Sequence, residues 1–262
     1  MLESTFVFLK GIGSYSERRL WEHGIDSWRA FLSELSLPGI SPQRKPLYDL
    51  EVSAAIDHLE AGDSRFFAAC LKSRDHWRLF DTFRSRTLFL DIETSGEPAG
   101  YGHATVIGLC ANGRMTSLVY GETLTEERLN EAFAQANLLV TFFGSVYDVP
   151  FLRAAFPGLD IRLPHFDLCF AARRLGLHGG LKRIESELSI SRDTDLNGLD
   201  GWDAVRLWNE WRRGRQSSLD LLLRYNAADT RNLEPLAERL YGRLVERYGP
   251  PAPAFRSAMH PG

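Results

Sequence analysis

The sequence predicts an α/β fold, a sheet flanked by helices and preceded by a small helical region. Three observations carry this. Up to about residue 85 the apolar positions recur at helical spacing, and beyond it short apolar and β-branched runs take over. The run "LLVTFF" is wholly apolar, as a strand covered on both faces would be. Almost everything after Asp160 returns to helical periodicity.

Taken in order, "SYSERRLWEHG" reads as a helix, with Tyr15, Leu20 and Trp21 toward one side and Glu17, Arg18 and Arg19 toward the other. After the loop "ISPQRKP", the stretch "PLYDLEVSAAIDHLEAGDSRFFAACL" predicts two helices broken at Ala61-Gly62-Asp63. "TLFLDIE" is a strand. "ATVIGLCA" and "RMTSLVYG" form a hairpin around Asn112-Gly113, a pair suited to a type I′ turn because both central residues need positive φ. "TEERLNEAFAQAN" is a helix capped by Thr123 or Thr125. "LLVTFF" follows as the buried strand. The remaining helices are "FDLCFAARRLGL", "LKRIESEL", "WDAVRLWNEWRRG" and a long last one over about 217–247. The tail "PPAPAFRSAMHPG" is Pro-rich and loose. The expected organisation is a helical region 1–85, an α/β domain 86–247 with its first strand central, and a tail 248–262.

Composition narrows the function classes. The chain has 262 residues, 44% hydrophobic and 25% charged, enough to bury a core and too apolar for disorder. The formal charge of −3 excludes a polycation, so nucleic-acid contact would need a local basic patch. Cys70, Cys110 and Cys169 form no CxxC pair, which argues against a disulfide framework, a zinc ribbon or an iron–sulfur cluster. No signal-peptide core or membrane-length apolar run is present, so the expected setting is a reduced cytoplasm, with no membrane and no organic cofactor.

The chemistry is concentrated in acids. Side chains alternate along a strand, so Asp91 and Glu93 share one face of "TLFLDIETSG", with Ile92 opposite. Two buried carboxylates on one face repel and lose hydration, and no Lys or Arg is adjacent in sequence; a divalent cation is the economical compensation. Asp148 follows the second buried strand. Asp229 lies on the last helix with Tyr225 four residues earlier on the same face. Each has an ordinary alternative: Asp148 could cap a helix at Pro150, Asp229 could pair with Arg224 or Arg231, and Tyr225 could be core. Together they suggest an acidic pocket able to hold two metals about 3.5–4 Å apart. Asp167 reads as the cap of the next helix, and His103 and His165 as surface or substrate-edge residues rather than ligands.

Asp-x-Glu on a first strand, Asp after a later strand and Tyr-x-x-x-Asp on a final helix resemble the DEDDy exonucleases of the ribonuclease-H-like superfamily. More closely, "DIETSG", "GSVYDVPFL", "HFDLCFAARRLGLHGGLKRIESEL", "LDGWDAVRLWNEW" and "LLLRYNAADTRNL" resemble, in that order, the bacterial YprB-like ribonuclease-H-like family over about residues 86–245. The resemblance implies a ribonuclease-H-like mixed sheet flanked by helices and two Mg²⁺ or Mn²⁺ ions. Asp91 would bridge both ions, Glu93 and Asp229 would hold the one that activates water, Asp148 would hold the second, and Tyr225 would orient the water. The implied reaction is hydrolysis of the terminal 3′ phosphodiester of DNA or RNA, releasing nucleoside 5′-monophosphates. Relatives commonly carry Asn-Gly where this chain has Phe143-Gly144, so specificity transfers less readily than chemistry.

"FLKGIGSYSERRL" resembles the hairpin of helix-hairpin-helix modules, which would put Gly11, Ile12 and Gly13 against a phosphate backbone. The competing reading is a Gly-rich turn that only packs helices. Up to Arg86 there are twelve basic and twelve acidic residues, so this region exerts no general pull on a polyanion. "RRLGLHGGLKR", with Arg173, Arg174, Lys182 and Arg183, is a further candidate nucleic-acid surface, as is "EWRRGRQ". Trp208 and Trp211 are expected in the core. A structure-specific endonuclease or a non-catalytic nucleic-acid-binding protein on the same fold are the rival functions. The choice of DNA or RNA, and self-association, stay open at this level.

Overall fold

A computed structural model describes residues 1–196 and 198–251. The chain enters through turns into α1 (Ser14–Glu22), α2 (Trp28–Ser33), α3 (Lys45–Glu60) and α4 (Ser64–Cys70). Ser27 caps α2 by accepting from the Ala30 amide. Gly62, at φ 68°, breaks the chain between α3 and α4 at the expected place, and Asp63 caps α4.

Short 3-10 helices, Ser73–Leu79 and Arg84–Arg86, lead into β1 (Thr87–Thr94). The hairpin of β2 (Ala104–Ala111) and β3 (Arg114–Val119) turns at Asn112 and Gly113, with φ of 51° and 71°. Thr125, not Thr123, caps α5 (Glu126–Gln135). There follow β4 (Leu138–Thr141), α6 (Asp148–Ala155), β5 (His165–Asp167), α7 (Leu168–Arg174), α8 (Leu181–Glu187), α9 (Gly201–Arg212) and α10 (Gln216–Tyr248). The five strands lie in the order β3-β2-β1-β4-β5, with β1 antiparallel to β2 and parallel to β4. The sheet is therefore mixed and β1 is central, as expected. Two details differ. Strand β5 stands where the sequence predicts the start of a helix, because three residues are too few to show a period of two. β4 ends at Thr141, and Phe142 and Phe143 leave the sheet. The expected tail begins inside α10 at Tyr248, and its residues 252–262 lie outside the described residues.

Alternation along β1 sets the layers. Leu88, Leu90 and Ile92 join the core with Leu129 and Phe133 of α5 and Phe151 and Leu152 of α6. Phe89 faces the other way, into the cluster that holds Leu233, Leu236 and Leu240 of α10. Asp91 and Glu93 therefore look toward α10. In β4, Leu138 and Val140 join one cluster and Leu139 the other, which is why the run had to be apolar throughout. Trp208 is buried with Leu207, Leu219, Leu222 and Val106 in a third cluster, as expected of core.

α10 reaches this face only because position 108 is glycine. Gly108 pairs with Asp91 across β1 and β2, and a Cβ there would collide with the side chains of Thr230 and Asn226.

The N-terminal helices share the α10-side cluster: Phe6, Trp28, Phe31 and Phe67 belong to the same contiguous core as Phe80, Phe166 and Leu240. α1 is rotated from the sequence-based reading. Tyr15 is 76% exposed and Glu17 is 1% exposed. Glu17 accepts from the Phe6 amide at 2.7 Å and takes both guanidinium nitrogens of buried Arg78 at 2.9 and 2.8 Å. A local amphipathic pattern cannot reveal this, because the partner lies 61 residues away. Among the described residues no helix is long and apolar enough to cross a membrane.

Arg78→Met would leave Glu17 buried without its counter-charge, and the expected loss is about 3–5 kcal/mol in chemical denaturation; a change below about 1 kcal/mol would show the pair to be exposed in solution. Gly108→Ala is expected to lower stability by about 1–3 kcal/mol through overpacking against α10, read as a reduced Tm; an unchanged melt would mean that the helix does not sit this close.

Candidate metal centre

The acids meet where β1 passes under α10. One carboxylate oxygen from each of Asp91, Glu93 and Asp229 lies within 4.8 Å of the others. Glu93 and Asp229 are buried and Asp91 is half-buried. Strand periodicity delivers the first two, and the close seat of α10 over Gly108 delivers the third. Asp148, the buried first residue of α6, stands outside this trio, yet its charge reaches both Asp91 and Glu93.

This crowding has an electrostatic cost. Burial, then the charges of Glu93, Asp229 and Asp148, raise the Asp91 carboxyl well above its usual range. Burial and the charges of Asp229 and Asp148 push Glu93 up to about 8. Asp148 is raised to about 7, chiefly by burial and partly by Asp167, with backbone amides pulling the other way. The fold stabilises the cluster only in part. Asn226 Nδ2 donates to Asp91 Oδ2 at 2.9 Å, and Arg192 pairs with Asp229. The donors are all oxygens in a negatively charged, buried pocket, which suits hard divalent cations such as Mg²⁺ or Mn²⁺. Asp91, Glu93 and Asp229 are the residues that could hold one.

Tyr225 is buried one turn before Asp229. Lys182 Nζ donates to its hydroxyl at 3.1 Å and lies 4.6 Å from its ring centroid. Burial, followed by the charges of Asp229, Glu93 and Asp91, holds the phenol far above its ordinary pKa, so it remains a neutral hydrogen-bond donor. Lys182 was expected on a nucleic-acid surface; here it turns inward onto Tyr225 and the Leu199 carbonyl.

Three site residues escaped the sequence reading. Asn226 had a signal, a polar residue three before Asp229 on a helical face that is otherwise apolar. Arg192 lies between α8 and α9 and had none. It is gripped by Glu185 through bonds of 2.8 to 3.1 Å while also reaching Asp229. Glu185 is buried and also accepts from Asn232 at 3.0 Å.

The other sequence candidates are spread more widely. Gly11 takes φ 94° in the turn before α1, and Gly13 caps that helix with backbone alone. The Ile12 side chain is buried between them. Arg173 is exposed, with its guanidinium over the rings of Phe143 and Phe170. Arg174 is engaged by the Tyr248 ring at 4.1 Å and by the Arg74 carbonyl at 3.2 Å. Arg183 is exposed on α8. Asp167 caps α7 through the Cys169 amide, as expected. His103 packs beside Tyr120. His165 is half-buried on β5, with Nε2 2.8 Å from Thr141 Oγ1, and burial lowers its pKa to about 4.

A family profile described as RNase_H superfamily matches residues 88–241. No curated protein matches the chain. Among solved structures, the family B DNA polymerase of Pyrobaculum calidifontis superposes with a TM-score of 0.53 at 15% identity, over 62% of this chain and 25% of that one. The likeness is one of fold, and the chain spans only a quarter of the polymerase's length. Brucella melitensis NrnC with bound Mg²⁺ gives a TM-score of 0.46 at 22% identity, over 64% of this chain and 78% of that one. Escherichia coli RNase D, an exoribonuclease involved in structured RNA processing, gives 0.44 at 17%, over 64% and 41%. The profile runs from the second residue of β1 through most of α10, taking in the whole sheet and more than half of the sequence, and the chain therefore belongs to the RNase_H superfamily.

Proposed function

We propose that the protein is a metal-dependent 3′–5′ exonuclease of the DEDDy type. It would hydrolyse phosphodiester bonds of DNA or RNA with two divalent cations, Mg²⁺ or Mn²⁺, and release nucleoside 5′-monophosphates. The observation that carries this reading is the meeting of Asp91, Glu93 and Asp229 within 4.8 Å, with Asp148 close enough to be felt by two of them. Such an acid cluster is costly to assemble unless cations neutralise it.

Asp91, Glu93 and Asp229 would hold one cation, with Asp91 shared and Asp148 serving the second. Bound there, the cations supply positive charge to the attacking and leaving oxygens of the phosphodiester and lower the pKa of water. The chain's own groups do the rest. Tyr225, kept neutral and held by Lys182, would keep its proton and orient the attacking water by a hydrogen bond from its O–H. Asn226 steadies Asp91. Arg192 neutralises Asp229 in the absence of a cation and, once Asp229 is engaged elsewhere, stays beside the pocket through Glu185.

The order of its motifs supports membership of the YprB-like subfamily, with residues 86–247 as the cutting domain and residues 1–85 as a strand-gripping region. In the helix-hairpin-helix-like turn, Ile12 would anchor the hairpin while the amides of Gly11 and Gly13 meet phosphate. The exposed Arg173 and Arg183 would contribute charge.

End-labelled DNA and RNA oligonucleotides, incubated with Mg²⁺ or Mn²⁺, test the function directly. Stepwise loss of mononucleotides from the 3′ end is expected; internal cuts would make it an endonuclease, and no metal-dependent degradation would leave a binding protein. Asp91→Ala is expected to reduce cleavage to background while leaving the metal-free Tm unchanged or raised, because it relieves carboxylate repulsion; loss of folding would make Asp91 structural instead.

Glu93 and Asp148 carry raised pKa values of about 8 and 7. Between about pH 4 and these values the folded state binds protons that the unfolded chain has lost, so they make metal-free stability fall as pH rises. Cations replace those protons. Mn²⁺ should therefore raise Tm more near pH 8 than near pH 5, and Glu93→Gln should flatten the metal-free slope. An equal Mn²⁺ effect at both pH values would contradict the assignment.

A further inference from the structure

A cavity of about 810 Å³ opens on the side of the sheet away from α10. Its floor is Leu88 of β1, Leu109 of β2 and Leu118 of β3, all buried members of the α5-side core. Alternation sets Leu88 on the face of β1 opposite Asp91, and the three residues between them span about 10 Å of strand. The cavity and the acid cluster therefore share no wall. The sequence keeps this space open. On α5, Leu129 and Phe133 fill the core, whereas the adjacent stripe of the helix, Ala132 and Ala136, lines the cavity. Ala111 of β2 lines it too. Side chains that end at Cβ leave room that a leucine would occupy.

Charge collects around this apolar floor. Arg86 just before β1, Arg114 at the start of β3 and Arg128 on α5 all line the cavity, and all three are exposed. Among the described residues none of them pairs with a carboxylate. Arg86 Nε donates to the Gln135 carbonyl at 3.0 Å, and Arg128 Nη1 donates to the Thr123 carbonyl at 3.3 Å. Those carbonyls satisfy one N–H each and neutralise nothing. Glu131 also lines the cavity, so three guanidinium groups less one carboxylate leave two positive charges. Asn112, Thr116 and Gln135 add uncharged hydrogen-bonding side chains.

We propose that this cavity binds a nucleoside monophosphate. A phosphate monoester carries a charge of about −1.5 to −2 at neutral pH, which matches the charge of the lining. Guanidinium groups fork onto phosphate oxygens through paired N–H donors. The base covers the leucine floor, and Asn112, Thr116 and Gln135 meet its polar edge and the sugar hydroxyls. The volume suits a ligand of this size, since small-molecule pockets run to about 300–1,000 Å³. A monocarboxylate such as a fatty acid would leave positive charge unmet, and bare phosphate would leave the apolar floor wet. The site lies apart from the metal centre and does not rest on the nuclease reading.

Isothermal titration calorimetry on the full chain in EDTA tests it, with adenosine and uridine 5′-monophosphates, the two nucleosides, inorganic phosphate and a synthetic peptide of Asp and Leu as probes. One nucleotide should bind per chain, at least about tenfold more tightly than nucleoside or phosphate alone. Arg114→Met and Arg128→Met should each weaken nucleotide binding by about tenfold or more, with Tm unchanged because both side chains are exposed. Ala132→Leu fills the cavity without touching a charge and should abolish binding, with Tm unchanged or raised. Asp91→Ala should bind as the unaltered protein does. A preference for one of the two bases also supports the site and assigns its specificity. Absence of nucleotide binding, equal affinity for nucleotide and nucleoside or for nucleotide and phosphate, or binding that survives both arginine variants would overturn it. So would a loss on Asp91→Ala, which would put the nucleotide at the acids, or tighter binding of the peptide, which would make this face a protein-docking surface. No measurement here uses a divalent cation, so failure of the nuclease reading leaves the result standing.

Discussion

α10 lies so close to β2 that no side chain larger than hydrogen fits at position 108. The rest of the site depends on this contact. It puts Asn226 over Asp91 and brings Asp229 to two carboxylates that strand geometry had already set on one face. Hydrophobic burial along α10, through Leu222, Leu233, Leu236 and Leu240, supplies the force that holds the helix down against the repulsion it creates. A helix seated less closely would relieve the acids and lose the pocket.

The pocket is then balanced by groups of different kinds. Asn226 donates a neutral hydrogen bond, Lys182 places its charge against Tyr225 and lowers the pKa of Glu93, and Arg192 pairs with Asp229. None of these offsets the burial and the neighbouring acid charges that keep the Asp91 and Glu93 carboxyls raised. Arg192 is shared between Glu185 and Asp229, so the fold holds a counter-charge beside a buried acid of the cluster. The site is thus folded in advance and unfavourable in itself, as expected of residues selected for a ligand rather than for stability.

A second buried ion pair does a different job. Glu17 and Arg78 are almost wholly shielded, and Glu17 also satisfies backbone amides at the start of the chain. This fastens α1 to the segment that runs directly into β1. The N-terminal helices and the α10 side of the sheet also share one hydrophobic cluster, so the helical region packs as one body with the strand that carries Asp91.

Much of this was legible because it is local. A period of two placed Asp91 and Glu93 together, Asn112-Gly113 marked the hairpin, Asp167 reads as a cap, and "LLVTFF" contains a strand buried on both faces. The candidate acids could also be named, since Asp148 and Asp229 stand out in apolar surroundings. What the pattern could not reveal depends on partners distant in the chain or on too few residues. β5 has only three residues, Glu17 is buried through Arg78, Lys182 turns inward to Tyr225, and Arg192 finds Asp229 from an irregular segment. The φ of 65° at Phe143 is likewise invisible in its letter, because it comes with the Phe143 and Ser145 amides donating to Asp167. Sequence by itself determined most of the elements and the faces of β1 and β4, since backbone period and turn chemistry act over a few residues. Tertiary structure alone decided which charges meet, because that follows from how closely distant segments can pack.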